Sequence, residues 1–192
     1  MNKSLLVVAL TALCASAWGP LKEGDSAPAF TAPASQAGRT FEFSLVEALK
    51  KGPVVVYFYP AAFTRGCSLQ AHTFAEKREA FAAAGATIVG VSLDSIARLK
   101  DFSADPESCA GKIAVASDPG GRIARAYELA VRETVAGRKD QRGADIDHGY
   151  AERTTFVVAR DGRIAATVGG LAPEANVERA LDAVQRLAAS SR

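Results

Sequence analysis

The sequence predicts a three-layer α/β domain built on one central sheet, and three observations predict it. Residues 54–59 form an apolar, β-branched and aromatic run without alternation, which reads as a strand buried on both faces. Strand-like and helix-like stretches then alternate through the middle of the chain. A hairpin signal at Asp161-Gly162 and a last amphipathic segment close it. With 192 residues, the chain is long enough for one sizeable core and short for two.

Lys3 precedes an apolar run over residues 5–13, and Ala15-Ser16-Ala17 offers a small-residue cleavage site. This is the anatomy of a secretory signal peptide, so residues 1–17 are expected to be cut off after Ala17 and residues 18–192 to form a single domain. The apolar run falls short of the roughly 20 residues that a membrane span needs. The mature form is therefore expected to be periplasmic or secreted, with no membrane segment. A net charge of +2 without long single-sign blocks gives no reason to expect nucleic acid as a partner.

Phe30-Thr31-Ala32 and residues 40–43 flank Gly38-Arg39 and suggest a hairpin with a loose loop. Ser44 and Glu47 make a capping box for a short helix to about Lys51, which Gly52-Pro53 ends. The central strand follows and stops at Pro60, which has no N–H for a ladder bond. A helical pattern then runs from near Cys67 to Gly85. Residues 86–93 read as a second buried strand and 95–104 as a helix with Ile96, Leu99 and Phe102 on one face. Pro106 breaks that helix, and Cys109 lies in the irregular stretch after it. A short strand over 113–116 leads to a helix expected to be capped by Asp118, with Pro119 in first position. Residues 131–152 are polar and read as a long loop. Strands over 154–159 and 164–168 precede a helix from near Pro173, with Val177, Ala180, Leu181, Val184 and Leu187 inward.

The chemistry concentrates where the central strand meets its helix. A cysteine at a helix N-terminus, at the carboxyl end of a buried strand, sits where open α/β sheets place their sites. The dipole and free N–H groups there favour a thiolate. Without the leader, only Cys67 and Cys109 remain. Taken alone, two cysteines in an exported chain are also compatible with a structural disulfide.

Pro60-x-x-x-Thr64-x-x-Cys67, with Phe63 and Gln70 around it, resembles the active-site signature of peroxiredoxins, thiol peroxidases of thioredoxin-like fold. Within them it is most similar to the bacterioferritin comigratory protein, or Q-type, group. The likeness runs from about Gly24 to the last helix. It implies a thioredoxin-like fold with a central mixed sheet flanked by helices. It also implies reduction of hydrogen peroxide and organic hydroperoxides through a sulfenic acid at Cys67, with a thioredoxin-like protein as reductant, no haem, flavin or metal, and a monomer. Thr64 would bridge thiolate and peroxide, and the N–H groups of Gly66 and Cys67 would face the same pocket. Pro60 would shield the sulfur, and Arg153 matches the arginine that completes such sites. Taken alone, Thr64 is equally a helix cap, Pro60 a strand terminator and Arg153 a surface ion-pair partner. Arg65 is expected to face solvent. Gln70 has no assigned chemistry beyond support of the loop. His72 stands where many Q-type relatives carry their resolving cysteine, and reads as an ordinary helix residue. That leaves Cys109, 42 positions after Cys67, as the candidate resolving thiol, to be reached by unwinding the first turn of the Cys67 helix.

Thiolate formation by itself explains little of such a rate. A thiol moved from about 8.5 to about 6 gains roughly 30-fold in ionised fraction at pH 7. It loses about 13-fold in nucleophilicity, leaving a gain of about two-fold. Groups that hold the peroxide must supply the rest. Two other readings accompany this one. A thiol–disulfide oxidoreductase of the same fold would want Cys-x-x-Cys, whereas Gln70 occupies the fourth place. A redox sensor using Cys67 would stop after one equivalent of peroxide.

Overall fold

The computed structural model describes residues 19–190, so the expected leader lies outside the described residues. Strands β1 (Thr31–Gln36) and β2 (Arg39–Ser44) form a hairpin. Its turn is tight rather than loose, because Ala37 and Gly38 both take left-handed φ, 49° and 74°, and match the twist of the strands. Helix α1 (Leu45–Leu49) starts at Ser44, whose hydroxyl accepts the Glu47 N–H at 3.4 Å. The Glu47 carboxylate pairs with Lys50 at 2.6 Å.

Strand β3 (Val54–Phe58) is an interior strand of a seven-stranded mixed sheet, paired on both edges. Together with Tyr59 it alternates between two apolar layers: Val54, Val56 and Phe58 pack on one face, Val55, Tyr57 and Tyr59 on the other. The missing polar alternation thus has its expected cause, burial on both sides. Helix α2 (Arg65–Ala83) follows, then β4 (Thr87–Ser92), α3 (Ile96–Ala104), β5 (Ala114–Ser117) and α4 (Arg122–Ala126). Gly90 of β4 is required by packing, since a Cβ there would lie 2.5 Å from the Tyr57 ring.

Helix α4 begins later than the sequence suggests. Gly121, at φ 64°, is its cap, and the Asp118 carboxylate instead accepts the Ala124 N–H at 2.9 Å from outside the helix. The stretch expected as plain loop contains a two-stranded ribbon, β6 (Val131–Arg132) and β7 (Tyr150–Ala151). Strands β8 (Thr154–Val158) and β9 (Ile164–Gly169) and helix α5 (Pro173–Ser190) complete the chain.

The sheet order is β2-β1-β5-β4-β3-β8-β9, with β3, β4 and β5 parallel and the outer pairings antiparallel. Side chains of α2, α3 and α5 pack in one apolar layer, those of α1 and α4 in the other. This is the expected three-layer arrangement. Register decides where the chemistry falls. Phe58 pairs with Val91 of parallel β4 and with Thr154 of antiparallel β8. The ends of β3 and β4 and the start of β8 therefore meet beside one loop, residues 59–64.

Candidate active site

Thr64 is the N-cap of α2, and its carbonyl accepts the N–H groups of Cys67 and Ser68, both at 2.9 Å. The Cys67 N–H expected to face a substrate is thus drawn into the first turn. The Thr64 hydroxyl makes no side-chain cap and donates to the Ala61 carbonyl at 2.9 Å. With its proton committed there, its lone pairs are left as acceptors. Pro60 is half-buried at the head of this loop, and Arg65 is exposed.

Cys67 is 2% exposed and free. Arg153 immediately precedes β8, and the Phe58–Thr154 register delivers its Nη2 to 3.5 Å from the Cys67 sulfur. Gly66 makes room for it: a Cβ there would lie 3.2 Å from that nitrogen. The other end of the guanidinium, Nη1, donates to Gln70 Oε1. Buried Gln70 donates in turn to Asn176 Oδ1 of α5 at 2.9 Å, and the Thr155 hydroxyl donates to the same oxygen at 2.6 Å. Asn176 donates to the Val168 carbonyl at 3.0 Å. A guanidinium thus stands beside the sulfur, and the neutral chain behind it fixes its direction. Gln70 therefore has a structural partner that its helix position alone did not announce.

Cys109 is also buried and free, in the same apolar layer as Cys67. The hydroxyl of its neighbour Ser108 donates to Ser68, next to Cys67, at 3.1 Å. Burial, and after it the charge of Asp105, push the Cys109 thiol far above the ordinary range. His72 is partly exposed on α2, 3.7 Å from Glu76.

A second polar cluster, absent from the sequence expectations, lies on the other side of the loop. Asp94, just past β4, is fully buried. It accepts from the Ala62 N–H at 2.8 Å and the Ser92 hydroxyl at 2.7 Å. Arg98 Nε pairs with it at 2.9 Å, and His148 Nε2 lies at 2.9 Å. Arg98 also donates to the Ala62 carbonyl at 3.1 Å and to Asp140 at 2.7 Å. Burial alone would raise the Asp94 carboxyl, but His148, Ser92 and the Ala62 N–H hold it below the usual range. Burial likewise opposes a charged His148. The bond to Asp94, its charge and the Gly149 carbonyl outweigh that and raise the imidazole above 6.5. The one sequence signal for this cluster was the i, i+4 spacing of Asp94 and Arg98 at the start of a helical segment.

Between the two clusters, Phe63 takes a left-handed φ of 60° although it carries a Cβ. Its ring packs edge-on to Phe102 and lies under the Arg142 guanidinium, 3.2 Å from the ring centre. Its carbonyl accepts the Gln141 N–H at 3.0 Å. A surface cavity of about 320 Å³ opens beside Phe63, Arg65, Ser68, Glu107 and Arg142.

Comparison with known proteins agrees with this geometry. Residues 24–167 match the AhpC/TSA family. A chloroplastic peroxiredoxin Q of rice (Oryza sativa subsp. japonica) is 44% identical over 84 residues, 44% of this chain; the matched stretch spans 37% of the rice protein. A relative from Mycobacterium tuberculosis H37Rv that carries a peroxiredoxin name is 35% identical over 75% of this chain and 82% of its own. The crystal structure of the M. tuberculosis peroxidoxin BcpB superposes with a TM-score of 0.71 at 27% identity, covering 86% of this chain and 97% of that one. A buried cysteine at a helix N-terminus, an arginine beside its sulfur and these likenesses lead to one assignment: the chain belongs to the AhpC/TSA family, among peroxiredoxins of the bacterioferritin comigratory, or Q, type.

Proposed function

We propose that this protein is an exported thiol-dependent peroxidase that reduces hydrogen peroxide and organic hydroperoxides at Cys67. The observation that carries the reading is the Arg153 guanidinium 3.5 Å from a buried cysteine sulfur on the first turn of α2. The Cys67 thiolate attacks one peroxide oxygen, and the O–O bond breaks as the S–O bond forms. The other oxygen leaves as hydroxide or alkoxide and takes up a proton, and Cys67 becomes a sulfenic acid. Thr64, with its proton on Ala61, accepts the hydrogen bond of the incoming hydroperoxide. Arg153 stabilises charge shared between sulfur and oxygen in the transition state. Pro60 caps the loop over the sulfur.

Cys109 then attacks the sulfenic sulfur, releasing water and forming a disulfide. The Ser68–Ser108 hydrogen bond supports this pairing, since it ties together the immediate neighbours of the two cysteines. A thiol so buried must be uncovered first, so the step requires the first turn of α2 or the turn around residues 105–111 to open. A thioredoxin-like dithiol returns both cysteines to thiols by exchange. The signal-peptide pattern over residues 1–17 supports a reading in which this cycle runs in the periplasm or outside the cell, with the enzyme working as a monomer.

The test is intact mass and free-thiol count after one equivalent of hydrogen peroxide, for wild type and Cys109→Ser. Loss of two hydrogens and both thiols in wild type, with sulfenic acid trapped at Cys67 in the variant, is the expected result. Sulfenic acid in both would remove Cys109 from the cycle. An unoxidised Cys67 would overturn the peroxidase reading.

A further inference from the structure

Peroxide reduction needs Thr64 and Cys67 aimed at one point, yet both belong to a loop and the first turn of a helix, where backbone is least constrained. What fixes that loop is legible peptide by peptide. The Ala61 carbonyl and the Ala62 N–H belong to one rigid peptide plane and point in opposite directions. On one side the Thr64 hydroxyl donates to Ala61; on the other Asp94 accepts from Ala62. The next plane carries the Ala62 carbonyl, which accepts from Arg98. An ion pair, Asp94 with Arg98, thus holds both polar groups of a single buried residue. The left-handed step at Phe63 follows directly, and Thr64 comes after it.

We propose that Asp94 and Arg98 are positioning residues for peroxide reduction, acting through the backbone of Ala62 to orient the Thr64 hydroxyl and the first turn of α2. The proposal rests on the peroxidase reading. Neither side chain has a polar contact to Cys67 or Arg153 among the described residues, so the effect passes through the loop.

His148 makes this clamp responsive to pH. Its Nδ1 lies 2.7 Å from the Gly149 carbonyl and its Nε2 2.9 Å from Asp94, and both of those atoms are acceptors. Only the doubly protonated imidazolium donates to both. Deprotonation must therefore break one bond or the other. The remaining groups that face this pair are Arg98 from α3, Asp140 and Arg142 from the loop before His148, and Tyr59 after β3. His148 is thus the member whose loss of charge, as pH rises above the ordinary imidazole range, loosens the hold on Asp94.

The experiment measures two rates at Cys67, with hydrogen peroxide and with iodoacetamide, and takes their ratio. Both reagents need the thiolate, so its titration cancels. Only peroxide needs the aimed Thr64. The proteins are wild type, Asp94→Asn, Arg98→Met, Arg98→Lys and His148→Gln, each with a thermal midpoint, from about pH 5.5 to 9. Misplacement of a catalytic group by about 1 Å costs on the order of 10²-fold, so the ratio should fall about 10- to 100-fold in Asp94→Asn and Arg98→Met. Arg98→Lys, which keeps the charge, should recover part of it. The wild-type ratio should decline as pH rises through the His148 titration, and His148→Gln should be flat. Should Asp94→Asn fail to fold, the contrast of Arg98→Lys with Arg98→Met and the His148→Gln profile decide. Ratios equal to wild type in folded variants, or rates that fall in parallel for both reagents, would overturn the proposal while leaving the peroxidase standing. A wild-type ratio no greater than that of a simple thiol would remove both.

Discussion

On one side of the Cys67 loop a single charge is held by neutral groups: Arg153 by Gln70, Gln70 by Asn176, and Asn176 by Thr155 and a carbonyl of β9. On the other side four buried or nearly buried charges, Asp94, Arg98, Asp140 and His148, hold one another and the loop's backbone. The first cluster reaches the sulfur and the second reaches only peptide groups. A charge that must meet another charge during reaction is best left uncompensated, and neutral amides orient it without cancelling it. A scaffold that must only stay put can be neutralised internally, at the cost of depending on every partner.

The contrast can be broken from its largest effect downward. Cys67→Ser should abolish peroxide consumption in a coupled assay, because a hydroxyl at this site has no thiolate to offer. Arg153→Ala should lower kcat/KM by on the order of 10²- to 10³-fold with the thermal midpoint close to wild type; an unchanged rate would assign the charge to another residue. Gln70→Leu leaves Arg153 in place without its guide and orphans one bond of buried Asn176. We expect about a 10-fold lower rate together with a stability loss of about 1–3 kcal/mol by urea denaturation.

The smallest effect concerns pH and belongs to the charged side alone. His148 has its pKa raised in the fold above the ordinary value of 6.5, so its contribution to stability is complete below that value. It is lost as pH rises through the folded-state pKa. Wild type should therefore exceed His148→Gln by about 1–3 kcal/mol at pH 6, and the gap should shrink at alkaline pH. The Arg153 side should show no such trend, and urea midpoints across the range for Gln70→Leu test that.

These two sides also differ in how far the sequence revealed them. The strand–loop–helix unit was legible because its signals are local: an unbroken apolar run, Pro60, and helical spacing after Cys67. Arg153 was reachable through the family likeness, and register explains its position, since Thr154 pairs with Phe58. The charged cluster was legible only in the i, i+4 spacing of Asp94 and Arg98. Its members are single polar residues drawn from the turn after β4, from α3 and from a segment expected to be loop, and long-range folding alone brings His148 to Asp94. Helix α4 was misjudged for a related reason: Asp118 has the chemistry of a cap, but Gly121 alone takes the left-handed φ that opens the helix.

The left-handed backbone at Phe63 bears on how the enzyme would wear out. A residue with a Cβ in that conformation stores on the order of 1 kcal/mol or more, recovered whenever the loop lets go. In the proposed cycle, a sulfenic acid at Cys67 waits for the first turn of α2 or the turn around residues 105–111 to open before Cys109 can reach it. The first of these openings begins one residue beyond Thr64, the neighbour of Phe63. During the wait a second peroxide competes, and its product, a sulfinic acid, lies beyond rescue by thiols. Stored strain shortens the wait, and the stacked Arg142 and the bond from Gln141 lengthen it. If the proposed cycle holds, the balance at this one residue would set how many turnovers are completed before peroxide inactivates the protein.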